Sequence, residues 1–256
     1  MPAKAGSESM PIYAPRRRRQ TASPQAGDRM EGQSLTIKGV RGVLFDLDGT
    51  LIESAADLQS AVNKVLISHA RQPIELTQVV SMIGHGARTL VELAFAASGR
   101  PLRDDELTAA YDEMLAIYSQ HLTDMTTLYP GAAECVAQLS RAGLPLAVVT
   151  NKPRAATTGI LDHFKLTASM AAIIGGDSGL PRKPAPDMLL WAIREMRLEP
   201  DEVVMVGDSI ADVESARAAG IRAVVIRGGY SRLPVDELGA DVVLANIADL
   251  PALIGV

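Results

Sequence analysis

The sequence predicts an α/β protein with a doubly wound, mostly parallel sheet and an inserted α-helical cap. From residue 40 onward, short apolar runs alternate with longer helical patterns, which is typical of parallel strands joined by crossover helices. The apolar runs are continuous, as expected for strands that are buried on both faces. Residues 54–128 show helical periodicity but no convincing strand, and this segment is too long to be a bare loop.

The strands are predicted in chain order from these apolar runs. The first is GVLF, which ends immediately before Asp46. The further candidates are PLAVV (145–149), AAII (171–174), EVVMV (202–206) and RAVVI (222–226), with DVVL (241–244) as a candidate edge strand.

Residues 39–53 and 129–256 are therefore assigned to the α/β core, and residues 54–128 to the helical cap. The insert begins just after the first strand and ends near a Tyr-Pro-Gly turn signal at residues 129–131. This position favours a movable cap over the strand ends, where ligands bind in sheets of this kind.

Residues 1–38 are predicted to form a disordered basic tail. Residues 1–33 carry six Lys/Arg and three Asp/Glu, a sum of +3, so a net charge of -5 leaves -8 for the remainder. Arg16–Arg19 form the basic cluster, in a stretch rich in Pro, Ser, Ala and Gln. A contact with an anionic partner or a targeting role is the alternative, and no secretory apolar segment follows the arginines.

The composition indicates which kinds of binding partner and which cellular compartment to expect. The acidic body makes nucleic acid an unexpected partner, and no apolar run approaches the length of a membrane span. Cys135 is the single cysteine, which excludes an intrachain disulfide and favours a buried apolar role and a cytoplasmic location. The sequence leaves the oligomeric state open, with a homodimer as one alternative.

Two acidic pairs follow predicted strands. Asp46 and Asp48 lie in FDLDGTL after the first strand, and Asp208 and Asp212 lie in GDSIAD after EVVMV. Separately, the first pair is typical of a turn and the second of a helix cap. Together at one edge of a sheet, facing carboxylates would repel each other unless a cation lay between them, and their hard oxygens suit Mg2+.

A hydroxyl and an ammonium group join these acids near strand ends. Thr150 follows PLAVV in TNKP, and Lys183 lies in RKPAPD. Thr150 can donate to a phosphoryl oxygen, and Lys183 can neutralise both a phosphate and a nucleophile. The structural alternatives are a helix cap for the threonine and a solvated lysine.

The chain resembles the haloacid dehalogenase-like superfamily in the order and spacing of DLDGTL, TN, KP and GDSIAD. The resemblance runs from Val40 to about Asn246. Within that superfamily, TNKP, GGDSGLPRKPAPD, GDSIADVESARAAG and the later GGY are most similar to bacterial phosphoglycolate phosphatases.

The resemblance implies a Rossmann-like core and a Mg2+-dependent phosphatase that works through an aspartyl-phosphate. Asp46 would be the nucleophile, and Asp48 would protonate the leaving alkoxide and then activate water. Asp46, the backbone carbonyl of Asp48, and Asp208 would bind Mg2+, and Asp212 would support them.

The resemblance also implies how the substrate is held. Thr150, Asn151 and Lys183 would bind the phosphate of a small phosphorylated metabolite, most similarly 2-phosphoglycolate, which yields glycolate and phosphate in carbohydrate metabolism. In the cap loop SMIGHGARTL, His85 and Arg88 are candidates for binding a substrate carboxylate, and a solvent-exposed connecting turn is the alternative. Glu53 departs from the family pattern, which usually has an aspartate there.

Other functions remain open on the same residues. A phosphatase for another phosphorylated acid or sugar, or a sugar phosphomutase, would use the same aspartyl-phosphate under a different cap. A dehalogenase is disfavoured because the halide-cleaving members lack the acid at Asp48. A phospho-accepting receiver module is disfavoured because such modules are about half this length and their phosphorylated aspartate follows an internal strand.

Overall fold

The computed structural model describes residues 36–256. The strands are β1 (Gly42–Phe45), β2 (Ile52–Glu53), β3 (Thr127–Leu128), β4 (Leu146–Val149), β5 (Met170–Ile174), β6 (Val203–Gly207), β7 (Arg222–Ile226) and β8 (Val242–Leu244). The helices are α1 (Ala55–Ser68), α2 (Leu76–Val80), α3 (Ala87–Ala97), α4 (Asp104–Tyr118), α5 (Ala132–Arg141), α6 (Arg154–His163), α7 (Asp187–Glu195), α8 (Ile210–Ala219) and α9 (Leu250–Ile254).

Six of these strands form one parallel sheet in the order β5-β4-β1-β6-β7-β8. All six strands predicted from the apolar runs are present, and the candidate edge strand lies at the edge as β8. The chain leaves β1 in one direction for β4 and β5, and in the other for β6, β7 and β8. The carboxyl ends of β4, β1 and β6 are therefore neighbours at the point where the strand order reverses, which is where such sheets bind ligands.

The continuous apolar strands are explained by burial on both faces of the sheet. In β1, Val43 and Phe45 belong to a core shared with α5, α6 and α9, whereas Leu44 belongs to a second core shared with α7 and α8. Successive residues of a strand point to opposite faces, so both parities must be apolar here. Cys135 on α5 is buried in the first core, which confirms its apolar role.

Residues 54–126 carry helices α1 to α4 and their own apolar cluster. Leu58, Val62 and Leu66 of α1 pack in this cluster with Phe95 of α3 and Met114 of α4. The segment is bracketed by β2 and β3, which pair antiparallel. The prediction of no strand within residues 54–128 missed β3, because a two-residue strand is too short to show a period-two pattern.

The amino-terminal boundary of the core differs from the prediction. Ile37 is buried in the first core, and its N–H donates to the carbonyl of Leu253 at 2.7 Å. The predicted tail, residues 1–38, therefore extends too far into the core. Ile37 stands between the polar Thr36 and Lys38, and a single apolar residue gives no periodic pattern from which burial could be predicted. Arg16–Arg19 lie outside the described residues. None of the helices in residues 36–256 is long and apolar enough to cross a membrane.

The buried carboxylate of Asp57 ties the start of α1 to the chain that enters β3. It accepts hydrogen bonds from the backbone N–H of Met125 at 3.1 Å, and from the N–H and hydroxyl of Thr126 at 2.8 and 2.7 Å. Asp57→Ala leaves these donors without an acceptor, and those of Thr126 are buried, so we expect the free energy of unfolding to fall by about 3 kcal/mol. Urea denaturation measures the loss, and an unchanged midpoint would contradict it. Asp105→Asn, at an exposed position of α4, is the control.

Candidate active site

The carboxyl edge of the sheet gathers the polar residues that the sequence singled out. Asp46 follows β1, Thr150 follows β4 and Asp208 follows β6, while Lys183 lies on the loop after β5. All four are buried, with side chains facing one region of the sheet edge. The structure thus brings together residues that are far apart in the sequence.

Three carboxylates form the centre of this region. Asp46, Asp208 and Asp212 each offer an oxygen, and these oxygens lie within 4.8 Å of one another. Burial raises the pKa of Asp46 to about 6, with Lys183 opposing the rise and Asp212 adding to it. Burial also raises the pKa of Asp208, and the charges of Asp212 and Asp46 add to that effect. Desolvated, mutually repelling oxygens of this kind fit a hard divalent cation.

Lys183 is the cation that faces these acids among the described residues. Its Nζ lies 2.7 Å from Oδ1 of Asp212 and 2.9 Å from Oδ1 of Asp46. Burial lowers the pKa of Lys183, but the two carboxylates outweigh burial and the net pKa is raised, so the ammonium stays charged. One positive charge against three carboxylates leaves the cluster short of positive charge.

Asp212 is occupied on both oxygens. Oδ2 accepts from the N–H of Asp208 and Ser209 at 3.2 and 3.0 Å and from the Ser209 hydroxyl at 2.7 Å, while Oδ1 binds Lys183. These bonds satisfy free N–H groups at the start of α8. Asp212 therefore orients the Asp208 loop and Lys183, which is compatible with the expected supporting role.

Asp208 is fixed by a second loop. Its Oδ1 accepts from the Thr50 hydroxyl at 3.2 Å, and its Oδ2 accepts from the N–H of Tyr230 at 2.6 Å. Gly229 precedes that tyrosine, and a Cβ there would lie 2.3 Å from the Cβ of Asp208. The GGY sequence therefore allows the backbone to approach the carboxylate closely.

Asp48 is held by two side chains, those of Ser54 and Lys152. The Ser54 hydroxyl donates to Oδ1 at 2.5 Å, and the Lys152 ammonium lies 2.9 Å from Oδ1 and 3.2 Å from Oδ2. Sequence reasoning missed Lys152. The available signal was its place two residues after Thr150 in TNKP, which puts it at the same strand end.

Asn151 has a positioning role in this structure. Its Nδ2 donates to the carbonyls of Gly84 and Lys183 at 2.9 and 3.0 Å, and its Oδ1 accepts from the N–H of Lys183 at 3.0 Å. The side chain thus joins the insert loop to the lysine loop. Its expected contact with substrate stays a prediction, as does that of Thr150.

A cavity open to solvent lies against these residues. The core contributes polar groups, and helices α1, α3 and α4 and the loop before α3 contribute a mainly apolar wall. Its lining includes Asp46, Asp48, Thr150, Asn151, Lys152, Leu58, Ile83, Leu90, Leu115 and Tyr118. A substrate bound against the acids would therefore be covered by the insert.

His85 and Arg88 do not line this cavity in the structure. His85 lines a neighbouring one with Ser209 and Tyr230. The Arg88 guanidinium donates to the Thr108 hydroxyl at 3.2 Å, between α3 and α4. Their proposed contact with a substrate carboxylate stays a prediction that this arrangement does not support.

Glu53 connects the two parts of the chain at β2. Oε1 accepts from the Tyr230 hydroxyl at 2.6 Å and from the N–H of Ala55 at 3.0 Å, and Oε2 accepts from the Tyr129 hydroxyl at 3.2 Å. The Tyr230 hydroxyl also accepts from the N–H of Ser54 at 2.7 Å. The longer acid at this position thus reaches two tyrosines from the core while holding the start of α1.

Comparison with known proteins agrees with this geometry. The sequence profile of the haloacid dehalogenase-like hydrolase family matches residues 43–226, which contain the acidic cluster and Lys183. The chain belongs to the haloacid dehalogenase-like hydrolase family. Its membership confirms the fold class and the resemblance drawn from the four motifs.

Individual relatives of this family member carry phosphatase names. Phosphoglycolate phosphatase of Caulobacter vibrioides is 36% identical, covering 82% of this chain and 88% of the relative. That of Rhodospirillum rubrum is 38% identical, covering 84% and 91%. A crystal structure of a predicted phosphoglycolate phosphatase from Haemophilus somnus is 29% identical with a TM-score of 0.80, covering 84% and 98%. The chain is accordingly a phosphoric monoester hydrolase of this family.

Proposed function

We propose that this hydrolase is a Mg2+-dependent phosphatase that converts 2-phosphoglycolate into glycolate and phosphate through a phosphorylated Asp46. The observation that carries the proposal is the buried cluster of Asp46, Asp208 and Asp212 around a single lysine. The substrate is proposed from the similarity to phosphatases with that name at 36 and 38% identity.

Asp46 is oriented for attack by the bonds on one of its oxygens. Oδ1 accepts from the N–H of Leu47 at 2.7 Å and binds Lys183 at 2.9 Å. No hydrogen bond to Oδ2 is found within residues 36–256, so this oxygen is the one available to phosphorus. The Asp46–phosphorus bond forms as the ester oxygen leaves, and Thr150 and Lys183 hold the phosphoryl oxygens.

Asp48 is proposed to move the protons. It donates a proton to the departing alkoxide, giving glycolate, and then removes a proton from the water that attacks the phosphoaspartate. That second displacement breaks the Asp46–phosphorus bond, releases phosphate and restores the carboxylate. The apolar wall that Leu58, Leu90 and Leu115 contribute limits other water near the intermediate.

Mg2+ would be held by Asp46, Asp208 and the backbone carbonyl of Asp48, where it supplies charge neutralisation for the phosphate and the buried carboxylates. The raised pKa values of Asp46 and Asp208 support this assignment, because a group that is costly to ionise in a buried site gains most from a cation. Lys183 alone does not balance the three acids.

A substrate panel tests the proposal. Measured with Mg2+, kcat/KM for 2-phosphoglycolate is expected to exceed that for glucose 6-phosphate and AMP by about 100-fold or more, since a polar site rejects substrates that leave its groups unpaired. Without a divalent ion, in EDTA, turnover of every substrate is expected to vanish. A preference for a sugar phosphate would defeat the substrate assignment, and full activity in EDTA would defeat the metal assignment.

A further inference from the structure

The cavity contains a polar pair that the proposed hydrolysis does not use for phosphate. Lys152 is 5% exposed and Tyr118, on α4 of the insert, is 2% exposed, and both line the cavity. The Lys152 ammonium lies 4.8 Å from the centre of the Tyr118 ring. The two groups therefore occupy the same part of the wall, one from the core and one from the insert.

Both groups have unused hydrogen-bonding capacity. The Tyr118 hydroxyl is buried and forms no hydrogen bond of good geometry within the described range, although the nearby Lys152 ammonium opposes the rise in the pKa of Tyr118 that burial causes. The Lys152 ammonium carries three N–H donors, and within that range its side-chain hydrogen bonds of good geometry go to the Asp48 carboxylate. Leaving a buried hydroxyl without a partner costs about 1–3 kcal/mol. Such a group in a ligand cavity is explained when the ligand supplies the partner.

We propose that Lys152 and Tyr118 together bind the carboxylate of the substrate and so select phosphate esters of 2-hydroxy acids. This inference rests on the proposed function and names the substrate class of the same site. The ammonium and the phenol would both donate to the carboxylate, and charge-assisted bonds of this kind are the stronger ones.

The position of Lys152 sets the distance between the two ends of the substrate. Asp48 must reach the ester oxygen to protonate it, and Lys152 lies within hydrogen-bond distance of Asp48. A carboxylate bound by Lys152 is therefore only a few bonds from the ester oxygen. An acid whose carboxylate is attached to the ester-bearing carbon meets this requirement, whereas a sugar phosphate places no anion there.

The competing explanation is that Lys152 only holds Asp48 in place. Removing Lys152 would then slow every phosphate ester alike, and the Tyr118 hydroxyl would have no effect on substrate choice. A pair of substrates separates the two explanations: 2-phosphoglycolate and ethyl phosphate, which replaces the carboxylate by a methyl group. The measured quantity is the ratio of their kcat/KM values.

Lys152→Met is expected to lower this ratio about 100-fold and Tyr118→Phe about 10-fold, since each loses one bond to the carboxylate. Lys152→Arg, which keeps the charge, should recover part of the ratio. Tyr111→Phe is the matched control, because Tyr111 lies on the same helix and does not line the cavity. We expect the ratio of the control to equal that of the wild type.

The outcomes distinguish this proposal from the proposed function. An unchanged ratio in Lys152→Met and Tyr118→Phe would overturn the subsite, even if the wild type prefers 2-phosphoglycolate in the substrate panel. A wild-type ratio near one would also overturn it. Preference for a sugar phosphate in the panel, together with a ratio that falls in both variants, would defeat the substrate assignment and leave the carboxylate subsite standing.

Discussion

Asp46→Asn is expected to lower kcat for phosphate ester hydrolysis by about 10^4-fold or more, because removal of a nucleophile in covalent catalysis leaves only binding and electrostatic effects. The amide keeps the size of the side chain and can still approach Lys183, so binding of phosphate should persist. Single-turnover assays with wild type should trap a phosphorylated protein that is absent in the variant. Turnover near the wild-type rate would exclude the covalent route.

The same substitution is expected to leave the fold intact and to stabilise it in EDTA. The folded pKa of Asp46 is raised from 3.8 to about 6. The folded state therefore binds the proton more tightly than the unfolded state, and stability is lost as pH rises from about 4 to about 6. An asparagine does not ionise, so its Tm should depend less on pH in this window and equal or exceed the wild-type value at pH 7.

The exposed Asp105 provides the chemical control for both measurements. Asp105→Asn makes the same replacement far from the cavity lining, so kcat should be unchanged and Tm should move little. A large drop in Tm for Asp46→Asn at pH 7 without metal would contradict the assignment of the buried carboxylates as mutually repelling.

The fold could be predicted because its signal lies in the pattern of apolar residues along the sequence. Strands buried on both faces must be apolar throughout, and runs such as GVLF and EVVMV stand out for that reason. The residues that follow them, Asp46 and Asp208, are then placed together by sheet topology alone. No knowledge of side-chain conformation is needed for that step, and the comparisons confirmed the family that these motifs indicated.

The rest of the site depends on contacts that have no sequence period. Lys152 and Tyr118 are 34 positions apart, and their meeting requires the insert to lie against the core. Asp57 resembled any acid in a first helical turn, yet its partners lie next to β3. His85 was a candidate for contact with a substrate carboxylate, with an exposed connecting turn as the alternative, because glycines on both sides of it permit a close approach. Such glycines do not determine where a side chain points.

Lys183→Met is expected to reduce both stability and activity. It removes the positive charge that contacts Asp46 and Asp212, and breaking a buried ion pair by removing one partner costs about 3–5 kcal/mol. The loss of charge at the phosphate should lower kcat by about 10^3-fold. Urea denaturation in EDTA and steady-state assays with Mg2+ measure the two effects.

Two further lysine variants serve as controls for this test. Lys64→Met makes the same change at an exposed position of α1 and should alter neither quantity. Lys183→Arg enlarges a buried group but keeps the positive charge. Because the charge is kept, we expect this variant to retain more stability than Lys183→Met. If Lys183→Met matched the wild type in EDTA, the lysine would not be offsetting the buried acids.

The double variant Lys183→Met with Asp46→Asn separates the charge of Lys183 from its packing. If unpaired negative charge causes the instability, removing the Asp46 carboxylate should restore part of the lost free energy of unfolding, and the two effects should couple by about 1–3 kcal/mol. Turnover should not recover, because the nucleophile is absent. Additive effects of the two substitutions would mean that the Lys183 ammonium does not stabilise the protein through the Asp46 carboxylate, and would remove the electrostatic argument for a cation at this site.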